Sequence, residues 1–443
     1  MNKAWTLAIE ALSWVELRRV NEDSALSRAV IQLRINESEI VDEARRLVFE
    51  VLKRRNSLDY LINEVLDPNQ FNLLEVGVRS FLRLYTYMIR YGGASFLEAH
   101  NLAEHTRSLL GSKKLKPVTD AIDLIPHEEL PWSSFTPVQA LAYRYFHPEW
   151  YVEYLQSIFD QEKIVEVIKP VEIPKYIRVN TLKAEEGVLD SLFSLGFQFV
   201  KVPELKNTYR VLDSSEGLAD TTLYREGRLI LQDMASVLVG EVASPKPTDV
   251  VLDICAAPGV KTSHLSQLMG NRGKIISVDY DERRLASWRT LINTMGVSNA
   301  MPILADATKP GEIPDEKANL VVLDPPCTGT GTFNEYPSGK WRLNINSIQR
   351  MAHLQMSLMA NAAAHVLEGG ALIYSTCSLT FEENEAVIID FLGKNPCFEL
   401  KESEPRIGEP GLGGLVKAQR LYPYQHRCQG FFIARLEKMV EQS

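Results

Sequence analysis

Apolar residues recur at three- and four-residue spacing through the first quarter of the chain. The stretches "DEARRLVFEVLKRRNSLDYLINEVL" and "LLEVGVRSFLRLYTYMIRYGG" each carry one apolar stripe, the pattern of an amphipathic helix. Trp5, Ala8, Leu12 and Val15 extend the same spacing to the N-terminus. Breaks at "DPNQ", "YGGAS" and "SKKLKP" separate the helices, so residues 1 to about 125 read as an all-helical bundle with short connections. Proline-bearing "LIPHEELPWSSFTPVQ" reads as a linker, and "LAYRYFHPEWYVEYLQSIF" as another helical run.

The pattern changes at about residue 174. "PKYIRVNTLKAEEGVLDSLFSLGFQFVKV" reads as strand, helix, strand: a small α/β unit. From about residue 248 short apolar runs alternate with amphipathic ones. "DVVLDICAAPG", "KIISVDY", "AMPILADA", "NLVVLDPPC" and "GALIYSTCS" are predicted strands, with helices between them and "GFFIARLEK" as a last strand. Near-continuous apolar strands of this kind predict a parallel sheet covered on both faces. Ligands of such sheets lie beyond the carboxyl ends of the strands. There is no internal repeat.

Composition adds limits. At 443 residues the chain is long enough for two or three domains, and 45% hydrophobic with 24% charged residues is ordinary for a globular protein. No apolar run reaches the length of a membrane span, and the start lacks a signal peptide's layout, so a cytoplasmic location and no membrane partner are expected. The five cysteines (255, 327, 377, 397, 428) are widely spaced without a CxxC pair. That argues against a disulfide framework or a zinc site; no metal is expected. A net charge of −9 gives no support for bulk attraction to nucleic acid. Basic clusters at Arg45–Arg46, Lys53–Arg55 and Lys113–Lys116 are explained equally well as solvated helix faces.

Candidate chemistry gathers at the strand ends. The loop "CAAPGVKTSH" has only Gly259 where a dinucleotide fingerprint would have three glycines, so a pyrophosphate ligand is poorly supported. Asp253, Asp279 and Asp306 end three successive strands. One such aspartate is commonly a cap, whereas three suit a nucleoside-bearing ligand without a pyrophosphate, and S-adenosylmethionine fits. Cys327 in "DPPCTGTG" and Cys377 in "ALIYSTCS" each follow an apolar run. Carbon 5 of a pyrimidine is not nucleophilic until a nucleophile adds at carbon 6, and a thiolate both adds and departs readily. A base must then remove the carbon 5 proton before the thiol leaves. Two thiols on neighbouring strand ends can face one substrate, although buried structural thiols are the common alternative. Cys397 and Cys428 are read as structural.

In these residues the chain resembles the RNA cytosine-5 methyltransferases of the Nol/Nop/Sun type, specifically the Fmu/Sun ribosomal branch. "CAAPGVK", "DPPCTGTG" and "STCS" occur in order, accompanied by "RVNTLK", "HPEW" and "RLYPYQHRCQGFFIARL". The resemblance implies a multidomain protein: an all-α NusB-like bundle (1–130), linker helices with a small α/β (RRM-like) RNA-binding unit (131–240), and a Rossmann-like class I methyltransferase domain (241–443). It implies Cys377 as the nucleophile and Cys327 as the residue for product release, with Asp324 and Lys261 gripping the cytosine edge. Cys255, Ala256, Ala257, Pro258, Gly259, Val260 and Lys261, with Asp279, Asp306 and Asp324, would hold S-adenosylmethionine, and Arg178 would contact RNA. The division of roles between the thiols rests on family likeness, since DNA cytosine-5 enzymes take the nucleophile from the PC motif. Val260 replaces the family's usual glycine, which is acceptable if a helix begins there, and Gln429 replaces a commoner aspartate. The expected reaction is methylation of a cytosine in RNA, reached out of the stack. Ribosomal RNA is the expected partner, transfer RNA the alternative, and a non-catalytic assembly factor the reading from another class.

Overall fold

A computed structural model describes residues 2–212 and 217–440. The chain divides into two compact units, one running to Pro170 and including Phe333–Asn344, the other formed by Val171–Thr332 and the chain from Ile345 onward.

The first unit is helical, as the stripes predict. Helices Asn2–Arg18, Glu22–Leu33, Ser38–Lys53, Arg55–Val65, Val76–Arg90 and Phe96–Leu110 pack around a core that includes Trp5, Leu47, Leu58, Phe81 and Tyr85. "DPNQ" is more than a break: Asp67 caps a short helix, Pro68–Leu73, by accepting from the Asn69 amide. The run "LAYRYFHPEWYVEYLQSIF" is interrupted, because Phe146 takes a left-handed φ of 60° and Pro148 starts a new helix at Glu149. Segment Phe333–Asn344 is tied into this unit. Glu22, buried, accepts from the Ser338 amide (2.6 Å) and hydroxyl (2.9 Å). Lys340 Nζ donates to the Phe146 carbonyl and Trp341 Nε1 to the Leu52 carbonyl, each at 2.5 Å.

The second unit contains two sheets. The small one is antiparallel in the order β2-β3-β1-β4, from β1 (Tyr176–Val179), β2 (Phe199–Lys201), β3 (Thr208–Val211) and β4 (Leu229–Leu231). The large one comprises β5 (Val250–Ile254), β6 (Lys274–Asp279), β7 (Ala300–Leu304), β8 (Ala318–Leu323), β9 (Val366–Thr376), β10 (Phe398–Lys401), β11 (Glu409–Pro410), β12 (Gln419–Leu421) and β13 (Phe431–Lys438). Its order is β11-β12-β13-β9-β8-β5-β6-β7, with β10 on β13. Pairings from β9 through β8, β5 and β6 to β7 are parallel, and β13 is antiparallel to β9. Alternate residues face two cores: Leu320 and Val322 enter one, Val321 and Leu323 the other. This is the covered, Rossmann-like parallel sheet that the apolar runs predict. Strand order reverses at β5, which pairs with both β6 and β8, so the ligand crevice is expected beyond the carboxyl ends of β5 and β8. Among the described residues no helix is long and apolar enough to cross a membrane, and no cluster of three or more His, Cys, Asp or Glu side chains is arranged to hold a metal ion.

Candidate active site

The loop after β5 turns sharply into helix Val260–Met269. Cys255 takes φ 64° and Gly259 φ 105°, and an added Cβ at Gly259 would lie 3.0 Å from the Trp288 ring. Glycine is therefore required here both by backbone conformation and by close packing. Val260 is the first residue of the helix, where a β-branched side chain is tolerated. Ala256 and Ala257 are buried, whereas Pro258 is exposed. Burial pushes the Cys255 thiol far up, with Asp279 and Asp324 adding to the effect, so it stays protonated.

Three aspartates brace this loop or border it. Asp253 is buried and accepts from the Thr262 hydroxyl (2.5 Å), which accepts in turn from Trp288 Nε1 (3.1 Å). Burial raises its carboxyl to about 7. Asp279 ends β6, but its side chain is wholly enclosed. One oxygen accepts from the Ala257 amide (3.1 Å), the other from the Asp281 amide (3.2 Å), and Arg284 lies 3.5 Å away. In the structure, then, Asp279 fixes the Ala256–Gly259 turn. Asp306, two residues beyond β7, is part-exposed and held low by hydrogen bonds from Thr308. A turn of small residues at a helix start, bordered by carboxylates, fits a compact cationic nucleoside such as S-adenosylmethionine better than a pyrophosphate.

The chemistry-bearing side chains converge at the ends of β8 and β9. Asp324 follows β8; its Oδ2 accepts from Lys261 Nζ (2.7 Å) and its Oδ1 from the Ser375 hydroxyl (2.9 Å). Burial alone would lower the Lys261 ammonium, but Asp324 more than offsets it, with help from Cys377 and Asp253, so Lys261 remains charged. The Lys261 ammonium also sits 5.5 Å from the centre of the Phe431 ring. Because β8 and β9 are adjacent, Cys327 and Cys377 meet, with their Sγ atoms 3.2 Å apart. The bond to Cys377 foremost, then burial, pushes the Cys327 thiol well above the usual thiol range. The contact and the burial thus keep the proton on Cys327. Cys397 is exposed and Cys428 buried, both away from this pair in the chain.

One expected residue lies elsewhere. Arg178, expected to contact RNA, is fully buried, and its guanidinium donates to Gln232 Oε1 (2.7 Å), Ser263 Oγ (2.8 Å) and Gln267 Oε1. Burial brings it down to about 9, and a fully buried guanidinium offers no donor face to a phosphate in solvent. It joins the small sheet to helix Val260–Met269 instead. Sequence reasoning also missed Ser375 and Glu383, whose carboxylate accepts from the residues following both thiols. Their proximity to "STCS" was the available signal, but nothing in a polar run marks which member turns inward. Gln429, the other departure, donates its amide to Asp233 (3.1 Å), a backbone contact that does not depend on side-chain type.

Comparison with known proteins bears on this arrangement. Residues 241–437 match the family described as 16S rRNA methyltransferase RsmB/F. The chain is 29% identical to the "Probable ribosomal RNA small subunit methyltransferase B" of Bacillus subtilis, over 98% of each chain. It is 37% identical to a tRNA (cytosine(72)-C(5))-methyltransferase of Pyrococcus horikoshii, over 51% of this chain and 56% of that one. The crystal structure of PH0851 superposes with a TM-score of 0.86 at 29% identity, covering 99% of each chain. The matched region holds the turn after β5, the Lys261–Asp324 pair and both thiols, and the likeness continues through the helical unit. Residues 241–437 are thus a methyltransferase domain of the 16S rRNA methyltransferase RsmB/F family.

Proposed function

We propose that this protein methylates carbon 5 of a cytosine in small-subunit ribosomal RNA through a covalent adduct on Cys377. The observation that carries the mechanism is the 3.2 Å approach of two thiols beside a Lys–Asp pair, beyond the carboxyl ends of parallel strands. S-adenosylmethionine supplies the methyl group. The turn Cys255–Lys261 holds it, with Asp279 stiffening that turn and Asp306 and Asp324 at its border.

Asp324 and Lys261 present one acceptor and one cation, suited to the amine and carbonyl edge of a cytosine. The Cys377 sulfur adds to carbon 6, forming a C–S bond and leaving electron density on carbon 5. The 3.2 Å sulfur–sulfur contact keeps Cys327 within reach of the reacting Cys377 sulfur. After methyl transfer the C–S bond breaks as Cys327 gives its proton to the departing Cys377 sulfur and takes up the carbon 5 proton in its place. We assign assistance of this release to Cys327.

The further organisation follows the same reading: a NusB-like helical part (1–130), linker helices and an RRM-like RNA-binding part (131–240), and the catalytic domain (241–443), in a cytoplasmic protein. With Arg178 buried, RNA contacts of the small sheet fall to other residues.

The test is a denaturing gel after incubation with S-adenosylmethionine and separate small-subunit ribosomal and transfer RNA pools. Cys327→Ala is expected to accumulate an RNA-linked band, and Cys377→Ala to give neither band nor methylation. The reverse pattern exchanges the two roles. Reaction with the transfer RNA pool alone moves the substrate, and an inactive wild type on both pools favours an assembly factor.

A further inference from the structure

A carboxylate without a part in the proposed reaction lies behind the two thiols. Glu383 is fully buried. Its Oε1 accepts from the hydroxyls of Thr328, Ser378 (2.8 Å) and Thr380 (2.8 Å). Its Oε2 accepts from the Thr328 amide (2.8 Å) and the Gln355 side chain (3.1 Å). Its backbone carbonyl accepts from the Tyr374 hydroxyl on β9 (2.6 Å). Among the described residues this carboxylate has no ion-pair partner. Five neutral donors satisfy it, an arrangement that a buried carboxylate demands.

The identity of those donors is informative. Thr328 directly follows Cys327, and Ser378 directly follows Cys377. One side chain therefore grips both thiol-bearing loops, each one residue from its sulfur. A carboxylate can do this because both of its oxygens only accept, whereas a glutamine would turn a donor toward one set of donors. We infer that Glu383 is a positioning residue that clasps the Cys327 loop to the Cys377 loop and holds the two sulfurs at reacting distance. The inference rests on the reading of these thiols as the reacting pair. Glu383 also has an electrostatic effect. After the contact with Cys377 and burial, its charge is among the influences that keep the proton on Cys327. A bracing carboxylate thus also discourages the wrong sulfur from ionising.

The experiment compares wild type, Glu383→Gln, Thr328→Val and Thr328→Ser in two assays. The first is steady-state methylation of the RNA pool. The second needs no RNA: copper–phenanthroline with dissolved oxygen takes two electrons from the thiol pair, and peptide mass spectrometry measures the Cys327–Cys377 disulfide. Glu383→Gln is expected to lower kcat at least ~30-fold with KM for S-adenosylmethionine within about threefold, since chemistry and not cofactor binding depends on the clasp. Its disulfide yield should fall at least ~5-fold. Thr328→Val should move both readouts in the same direction, and Thr328→Ser, which keeps the hydroxyl, should restore them. Wild-type disulfide yields in folded Glu383→Gln and Thr328→Val would overturn the inference. Should Glu383→Gln fail to fold, the Thr328 pair decides alone, and failure of serine to rescue counts against the clasp. A wild type that cross-links well but does not methylate RNA removes the proposed function, while the disulfide comparison still judges Glu383.

Discussion

The Asp253 carboxyl titrates at about 7 in the folded chain, against about 3.9 for a free aspartate. Between these values the folded state holds a proton that the unfolded state has released, so the group's contribution to stability is lost as pH rises from about 4 to about 7. Asp253→Asn removes this slope. The difference between wild type and variant, measured by urea unfolding at several pH values, is expected to change by about 2–4 kcal/mol between pH 4 and 8. Parallel curves would place the proton elsewhere. A smaller effect is expected at Ser375, whose hydroxyl bonds the Asp324 oxygen that Lys261 does not hold. Ser375→Ala should lower stability by about 1 kcal/mol and turnover several-fold, read from unfolding curves and methylation rates. Single residues also mark where sequence reading stops. Arg178 sits between Ile177 and Val179 on β1, a strand paired on both sides and buried at every position. The family resemblance implied an RNA contact here, yet a central strand presents no surface, and the acceptors that receive the guanidinium come from residues 54 to 89 positions away.

Pairs of elements fix the site more firmly than any residue does. Gly331, in the loop after β8, donates its amide to the Cys377 carbonyl (3.0 Å), and its own carbonyl accepts from the Gly430 amide (2.9 Å) just before β13. A Cβ at Gly331 would come within 2.1 Å of the Gly430 carbonyl oxygen. Gly331→Ala should therefore destabilise the protein by about 1–3 kcal/mol and separate the thiol loops. Urea unfolding and the disulfide yield between Cys327 and Cys377 would test both parts. The strands that build this crossing were legible because buried parallel strands are continuous apolar runs, with Cys377 directly after one of them and Cys327 four residues after the other. β10, β11 and β12 were not, being two to four residues long with charges among them. β10 and β12 owe their pairing to β13, and β11 to β12, rather than to a pattern of their own. The helix Met234–Ala243 escaped for the opposite reason: it is buried all round, so no stripe announces it.

At the scale of the whole chain, "FNEYPSGKWRLN" (333–344) is the least predictable segment. Its composition resembles any polar loop, yet it belongs to the helical unit while its flanks do not. Lys340 shows how tightly it is held. Burial, with the charges of Lys53 and Arg54, brings its ammonium down to about 7, against about 10.4 for a free lysine. From pH 7 to 10 the unfolded chain carries a proton that the folded chain lacks, so this group makes the protein more stable as pH rises. Lys340→Met should abolish that rise, and thermal unfolding of the helical unit across this range would show it. The same segment has a consequence for how the protein is made. The first unit begins at the N-terminus but is complete only when residue 344 of 443 has been synthesised. Until then the Leu52 and Phe146 carbonyls lack the donors Trp341 and Lys340, and Glu22 lacks Ser338. The ribosome therefore delivers β5 to β8 of the large sheet, and the first of the two thiols, before the N-terminal unit can close.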